Sequence, residues 1–521
     1  MNASEEYAIK KIAKGGLIIF TGMILSSLTF LLYRILAARY LSPSDYGLLS
    51  MGIVFLNIGA LFGLVGIHHS IGKFINHYLA IKRFDRVKGI IILSFCITIP
   101  SSIIIFLALY YSSQSLALNI FKIEELAPII SIFSFGIPLI VIAQLLKFYF
   151  FTFKKPEYSI VSETIFEKFF NLLLLLFAIS ISASLLFLSW MYITSLLISL
   201  IVASILLGKI LLKNMPVIFK KEINPVFDVK QLLSFSIPLM IVGILDIALG
   251  WTDIIMIGVF RSSLEVGFYN TAYVISSAFL IIWIAIGDMF YPIISELYAK
   301  KQKTSIRKTF EVTSRWIFVL ALPLLVFIIV FPSRTLSLVF GHKYLDAAIP
   351  LVILTLGYFP LAIFGLSEQG LRTYKKIKFL GVSTLIALVI NILLNFLLIP
   401  PYGMIGASIS TTLSLIFFTI IRFVKFKKIL HFSFDLNLYK KYIYSAIISF
   451  IAVFSLFKIL NLFSTYLFIS AILLYMIFYF VLLILFKSFS KEDIAIFEAA
   501  ERKTGISIPF LKYFLKTNRN K

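Results

Sequence analysis

Asp246 and Asp253 lie seven residues apart in an otherwise apolar stretch of this 521-residue chain, and Asn391, Asn395 and Thr411 lie in two later apolar stretches. Seven residues is close to two helical turns and four is close to one, so the aspartates share one helix face and the asparagines another. Carboxylate, amide and hydroxyl oxygens meeting from two or three helices are what a sodium ion or a carried proton needs. The plainer use of the asparagines and the threonine is hydrogen bonding between helices. Three cations also fall within or at the ends of apolar stretches: Lys168, Arg315 and Arg34. Fixed positive charge of this kind would meet a phosphate in a low-dielectric cavity. The competing roles are snorkelling to the nearer interface for Arg34 and Arg315, and a local pair with Glu167 or Glu163 for Lys168. Ionisable groups at such depths are costly when unpaired, so all of them are candidate functional residues.

The stretches that must position these groups span a membrane. Hydrophobic residues make up 60% of the chain and charged residues 14%, with a mean hydropathy of +1.01, far from a soluble globular composition. Apolar runs of spanning length fall near 15–37, 47–69, 88–111, 126–148, 159–180, 185–208, 232–259, 268–298, 310–331, 348–370, 379–400, 403–424, 442–460 and 464–486. Thirty-nine of the 48 Lys and Arg residues fall in alternate gaps between these runs, and seven in the others. Basic loops stay cytoplasmic, so the alternation predicts an even count, about fourteen spans, with both termini cytoplasmic at the cell membrane. A net charge of +24 confined to short juxtamembrane loops orients the chain and touches anionic headgroups; it does not indicate nucleic acid. The single cysteine, Cys96, forms no intramolecular disulfide, and the first run reads as a retained helix, not a cleaved signal.

A weak repeat at about 220 residues sets Asp45 and Gly47 against Glu265 and Gly267, Lys154 and Lys155 against Lys375 and Lys376, and Asn171 near Asn391. The expected fold is therefore all-α: two six-helix lobes related by a pseudo-two-fold axis along the membrane normal, plus two C-terminal helices. The divisions are an N-lobe over 1–215, a cytoplasmic linker over 216–231, a C-lobe over 232–428, the last two spans over 429–487, and a cytoplasmic amphipathic tail over 488–521. Pro138, Pro238, Pro292, Pro323 and Pro360 stand inside spans, where they would bend helices.

Enzyme classes lack support. No Walker A or Gly-rich phosphate loop is present, and the short outer loops carry no paired-carboxylate or metal-ligand pattern. His68 and His69 are adjacent, so on a helix they should point about 100° apart and not share a face. What remains is a transporter without a cofactor, driven by a gradient of sodium or protons or by its substrate.

Four stretches carry a family resemblance: Arg39 to Gly47 (RYLSPSDYG); Ser236-Ile237-Pro238 with Asp253 and Val266-Gly267-Phe268-Tyr269; Phe340-Gly341-His342-Lys343-Tyr344; and Asn391 to Thr412 with its Asn-x-x-x-Asn, Ile399-Pro400, Tyr402-Gly403 and Gly406-Ala407. In this order, over nearly the whole chain, they resemble the polysaccharide-exporter (O-antigen flippase) family of the multidrug/oligosaccharidyl-lipid/polysaccharide superfamily. The resemblance implies an alternating-access flippase, not an enzyme, that moves a polyprenyl-diphosphate-linked oligosaccharide to the outer leaflet. Lys168, Arg315 and Arg34 would be its candidate diphosphate-binding residues. It implies a monomer among membrane lipids, working beside polysaccharide polymerases and glycosyltransferases. In the related peptidoglycan-precursor branch, an Asp, an Asn/Asp pair four apart and a Thr form a sodium site. Asp253, Asn391, Asn395 and Thr411 fall at matching places, with Asn395 where that branch has Asp, so the set carries one charge fewer. That branch also has arginines in its second and eighth spans, where this chain has none. A cation-coupled multidrug antiporter is the near alternative, and a membrane-embedded glycosyltransferase or polymerase the distant one.

Overall fold

The computed structural model describes residue 22, residues 25–214, 223–431, 436–459 and 465–486, and Ser488. The expected tail beyond Ser488, the linker residues Lys220 and Lys221, and the side chain of Asp246 lie outside the described residues.

Every described element is helical. The first is α1, residues 25–40. It is followed by α2 (Pro43–Gly63), α3 (Ile67–Ala80), α4 (Phe84–Ser115), α5 (Leu126–Thr152), α6 (Pro156–Ile160), α7 (Phe170–Ser180), α8 (Leu185–Asn214) and α9 (Val229–Phe260). The second half holds α10 (Ser263–Ser277), α11 (Phe279–Ala299), α12 (Lys303–Val330), α13 (Pro332–Val339), α14 (Ala348–Phe364), α15 (Leu366–Thr373), α16 (Ile377–Leu430), α17 (Leu436–Ile459) and α18 (Thr465–Leu485). Among the described residues, nine helical runs are long and apolar enough to cross a membrane. Large apolar side chains also face outward. Leu397 and Phe396 are 65% and 62% exposed while nearby Asn391 and Asn395 are fully buried, as a hydrocarbon solvent dictates.

Three expected spans are broken helices. The second run ends at Gly63 and resumes at Ile67 after left-handed backbone at Val65 and Gly66. The eighth divides at Ala278 and the tenth at Gly365. The fifth contains a π-helical segment, Val161–Phe169, between α6 and α7. Conversely, the eleventh and twelfth runs join end to end in α16 across Pro400, Pro401 and Gly403. The five expected prolines stand inside helices that continue through them.

The chain forms two compact units: Met1–Ile275 with Val339–Leu351 and Thr384–Ser414, and Ser276–Leu338 with Val352–Ser383 and Leu415–Lys521. In the first, α5 packs on α2, α4 and α8, and α9 lies on α2 and α3. Ile71, Val87, Leu145, Tyr149 and Leu207 are buried in one of its cores. The repeat-related glycines meet there. A Cβ on Gly47 would fall 1.8 Å from the Ser263 carbonyl oxygen, and one on Gly267 would fall 1.9 Å from that of Pro43, so α2 and α10 touch backbone to backbone at their starts. Gly403 adopts φ 55°, ψ −135°, and the freed amide of Met404 donates to the Glu265 carboxylate at 2.8 Å. The glycine's left-handed φ thus lets α16 turn onto the beginning of α10.

In the second unit, α12 packs on α11, α17 and α18, with Leu322, Tyr442 and Tyr479 in its core. Arg422 is buried at 5% exposure, donates to Glu368 at 2.6 Å and to Ser383 at 3.0 Å, and lies 3.6 Å over the Phe418 ring.

Candidate functional site

Asp253, near the C-terminal end of α9, is 1% exposed, and its carboxylate is met from α10 and from both halves of α16. The Tyr269 and Thr411 hydroxyls each donate to Oδ2 at 2.5 Å. Asn395 Nδ2 donates to Oδ1 at 2.7 Å, and Asn391 Nδ2 lies 3.4 Å from the same oxygen. Asn391 also donates to Thr411 Oγ1 at 3.1 Å, and Asn395 to Asn391 Oδ1 at 3.2 Å. All five residues are buried. Four residues singled out on spacing and polarity are therefore one cluster, and Tyr269 is a fifth that the same reasoning passed over. Asn395 Oδ1 is buried without a hydrogen-bond partner.

A second group lines a cavity of about 520 Å³ in the same compact unit. Arg34, Lys147 and Lys168 supply its cations, Glu163 and Glu167 its carboxylates, and Asn57, Gln144, Asn270, Tyr192, Trp251 and Tyr273 much of the remaining polar and aromatic wall. Lys168 pairs with Glu167 at 3.0 Å, and Lys147 forms an ion pair with Glu163. Arg34 Nη1 approaches Asn270 Oδ1 at 3.4 Å, and Asn270 in turn donates to Ser50 at 2.6 Å. One ring, Phe30, carries the Arg34 guanidinium at 4.7 Å and the Lys168 ammonium at 4.8 Å, a cation–π arrangement that suits partly desolvated charge.

The π-helical segment explains how Lys168 comes to the face of Glu163 and Glu167. With hydrogen bonds running from i to i+5 each turn takes up about one more residue, so Glu163, Glu167 and Lys168 can share the cavity face. On an α-helix Lys168 would turn away. Arg315, the third expected cation, is half-buried on α12 in the second unit. It is therefore not grouped with Arg34 and Lys168. Lys147, which the charge alternation assigns to a cytoplasmic loop, instead stands inside α5 and faces the cavity.

His68 and His69 correct the expectation that neighbours on a helix cannot meet. Their ring centroids are 3.9 Å apart, and both pack against Phe148, on the first turn of α3 just after left-handed Gly66. Among the described residues no three His, Cys, Asp or Glu side chains are grouped to hold a metal.

The helical fold is like that of solved membrane transporters. It is similar to the solved lipid II flippase MurJ in its inward closed conformation, with a TM-score of 0.70 over 90% of this chain and 98% of MurJ at 14% identity. A family model described as polysaccharide biosynthesis protein matches residues 12–298, and a MatE model matches 238–397. The first match covers more than half of the sequence, and the chain belongs to the polysaccharide biosynthesis protein family. Among curated relatives it is 26% identical over 164 residues to a probable low-salt glycan biosynthesis flippase, Agl15, of Haloferax volcanii, covering 32% of this chain and 35% of Agl15. It is 24% identical over 406 residues to an uncharacterized membrane protein of Methanocaldococcus jannaschii, covering 73% and 77%. The match to Agl15 thus spans about a third of that flippase's length.

Proposed function

We propose that this protein is a flippase, not an enzyme, that carries a lipid-linked oligosaccharide from the cytoplasmic to the outer leaflet by alternating access, for cell-surface glycan synthesis. The observation that carries the reading is the cavity: three cations and two carboxylates among membrane-spanning helices, in a chain of the polysaccharide biosynthesis protein family. A phosphate-linked sugar needs fixed cations for the phosphate and amides and aromatic faces for the glycan. Lys168, Lys147 and Arg34 are the assigned phosphate partners. Asn57, Gln144 and Asn270 reach hydroxyls, and Trp251 and Tyr273 offer faces to sugar rings, while the lipid tail stays in the bilayer. Arg315, on α12 in the second unit and not among the residues lining this cavity, keeps only its expected role as a further candidate for phosphate.

The buried cluster is assigned to the coupling ion. Its carboxylate, two amide groups and hydroxyls can turn several oxygens toward a sodium ion if the amides rotate, a choice ordinary structures leave to hydrogen-bond networks, and the unpartnered Asn395 oxygen is one such ligand. A proton on Asp253 is the other possibility, and Asp246 is kept as an accessory group on the same helix. Coupling has a direct route. Helix α9 presents Trp251 and Ile254 to the cavity and Asp253 to the cluster, and α10 presents Asn270 to the cavity and Tyr269 to the cluster. A change of charge at Asp253 therefore acts on two helices that line the substrate path. The charge alternation assigns both termini to the cytoplasm, and polymerases and glycosyltransferases are the expected neighbours in the membrane.

The test uses cells depleted of the protein. Lipid-linked oligosaccharides are extracted, and intact spheroplasts are treated with a glycosidase. Complete units that accumulate and stay protected support the flippase. Units that accumulate exposed would assign the defect to polymerisation or ligation. No accumulation would favour the second reading, a cation-coupled multidrug antiporter, which the MatE match over 238–397 supports; such a protein should tolerate neutralisation of Lys168, Arg34 and Arg315.

A further inference from the structure

The charges in the cavity do not suit a diphosphate. Among the described residues lining it, Lys147 is paired with Glu163 and Lys168 with Glu167, and Arg34 faces only the neutral Asn270 amide and the Phe30 ring. Three cations against two carboxylates leave a single uncompensated positive charge. A buried charge without a partner is expensive, and a pair that neutralises it removes most of that penalty. A sugar joined to its lipid through one phosphate carries one negative charge and brings the cavity to neutrality. Through a diphosphate it carries two, leaving one anion uncompensated among apolar walls or requiring a carboxylate to give up its lysine. We propose that the cavity is matched to a lipid carrier bearing its sugar on a single phosphate, a monoanionic phosphodiester. This rests on the flippase reading and departs from the diphosphate expected on resemblance.

The geometry adds a selectivity element. Glu163 and Glu167 share the π-helical segment with Lys168, so the two carboxylates that cancel lysine charge are held by the same local structure that delivers the lysine. They are specificity determinants because they set the charge available to the ligand. Replacing either one should raise the net positive charge from one to two, whichever lysine is released.

The experiment uses the full-length protein in proteoliposomes and two synthetic probes, the same short polyprenol and the same fluorescent N-acetylglucosamine joined by one phosphate or by two. Flipping is read by quenching of outer-leaflet fluorescence. Wild-type protein should favour the one-phosphate probe by roughly tenfold or more, as expected when one ligand leaves a buried charge unpaired. Glu167→Gln and Glu163→Gln, each checked for folding by its melting profile, should shift the preference toward the two-phosphate probe by a similar factor. Arg34→Gln, which leaves no net charge, should slow the one-phosphate probe. Equal or faster flipping of the two-phosphate probe by wild-type protein, or no shift in either folded Glu variant, would overturn the proposal and leave the flippase reading standing. Failure of wild-type protein to move either probe would overturn the flippase reading itself.

Discussion

The Asp253 cluster makes a quantitative demand through Tyr269. The phenol donates to Asp253 Oδ2 at 2.5 Å with both residues buried. If Asp253 is ionised this is a hydrogen bond to a charged acceptor, worth about 1.5–3 kcal/mol, against about 0.5–1.5 kcal/mol for a neutral pair. Tyr269→Phe removes one oxygen and no ring, so it opens no appreciable cavity, and Thr411 and the two asparagines still reach the carboxylate. The variant should therefore lose about 1.5–3 kcal/mol. Asp253→Asn keeps the shape of the side chain and removes its charge, and the Tyr269 and Thr411 hydroxyls can rotate from donating to accepting. In that background Tyr269→Phe should cost about 0.5–1.5 kcal/mol, leaving a coupling energy near 1 kcal/mol or more. A double-mutant cycle, read by reversible denaturant unfolding in detergent micelles, measures it. Identical costs in the two backgrounds would refute an ionised Asp253 and show that the cluster holds a protonated acid. Flipping assays on the same proteins separate stability from transport: Asp253→Asn should remain folded yet transport poorly, and wild-type rates across imposed sodium and proton gradients would remove the cluster from coupling.

Three more outcomes follow from the packing. Asn395→Asp places a second carboxylate where a 2.7 Å hydrogen bond now reaches Asp253, so a cation or proton must enter. The variant is expected to gain sodium-dependent stability of about 1.4 kcal/mol when sodium is near ten times its Kd, and melting in sodium against choline buffers checks this. Gly47→Ala drives a methyl group to within 1.8 Å of a backbone oxygen of Ser263, so its cost should meet or exceed the roughly 1–3 kcal/mol typical of overpacking; wild-type unfolding of that variant would contradict the close contact of α2 and α10. Arg422→Ala should destabilise by about 3 kcal/mol, since it strips the buried partner from Glu368. Arg372, 2.6 Å from the same carboxylate, holds the loss at the low end, and Glu368→Gln added to Arg422→Ala should recover part of it in the same unfolding measurement.

What the sequence disclosed, and what it hid, follows from how each feature is encoded. Long apolar runs locate helices because each must bury its backbone polar groups internally, and the described parts of the expected runs are helical, while α13 and most of α3 form outside them. Breaks inside a run are different. The one at Ala278 has no glycine or proline to mark it, whereas those at residues 65–66, at Gly365 and at Gly403 each fall at a glycine, and Pro400 and Pro401 mark the last as well. The same distinction governs the sites. Asp253, Asn391, Asn395 and Thr411 stood out because they are polar among apolar neighbours. Tyr269 did not, because a tyrosine in a membrane helix is unremarkable until its hydroxyl is seen on a carboxylate. Lys147 was obscured by its nearness to Lys154 and Lys155, which made it look like one more cytoplasmic loop charge. Glu163 and Glu167 are legible as possible partners for Lys168, but the place of Lys168 on their common face is not, because α-helical periodicity turns residue 168 away where a π-helical segment forms. A π turn inserts one residue into a helix without any residue type that requires it. The charge balance that selects between one phosphate and two depends on that insertion, so the most specific feature of the cavity is one that residue spacing alone would misplace.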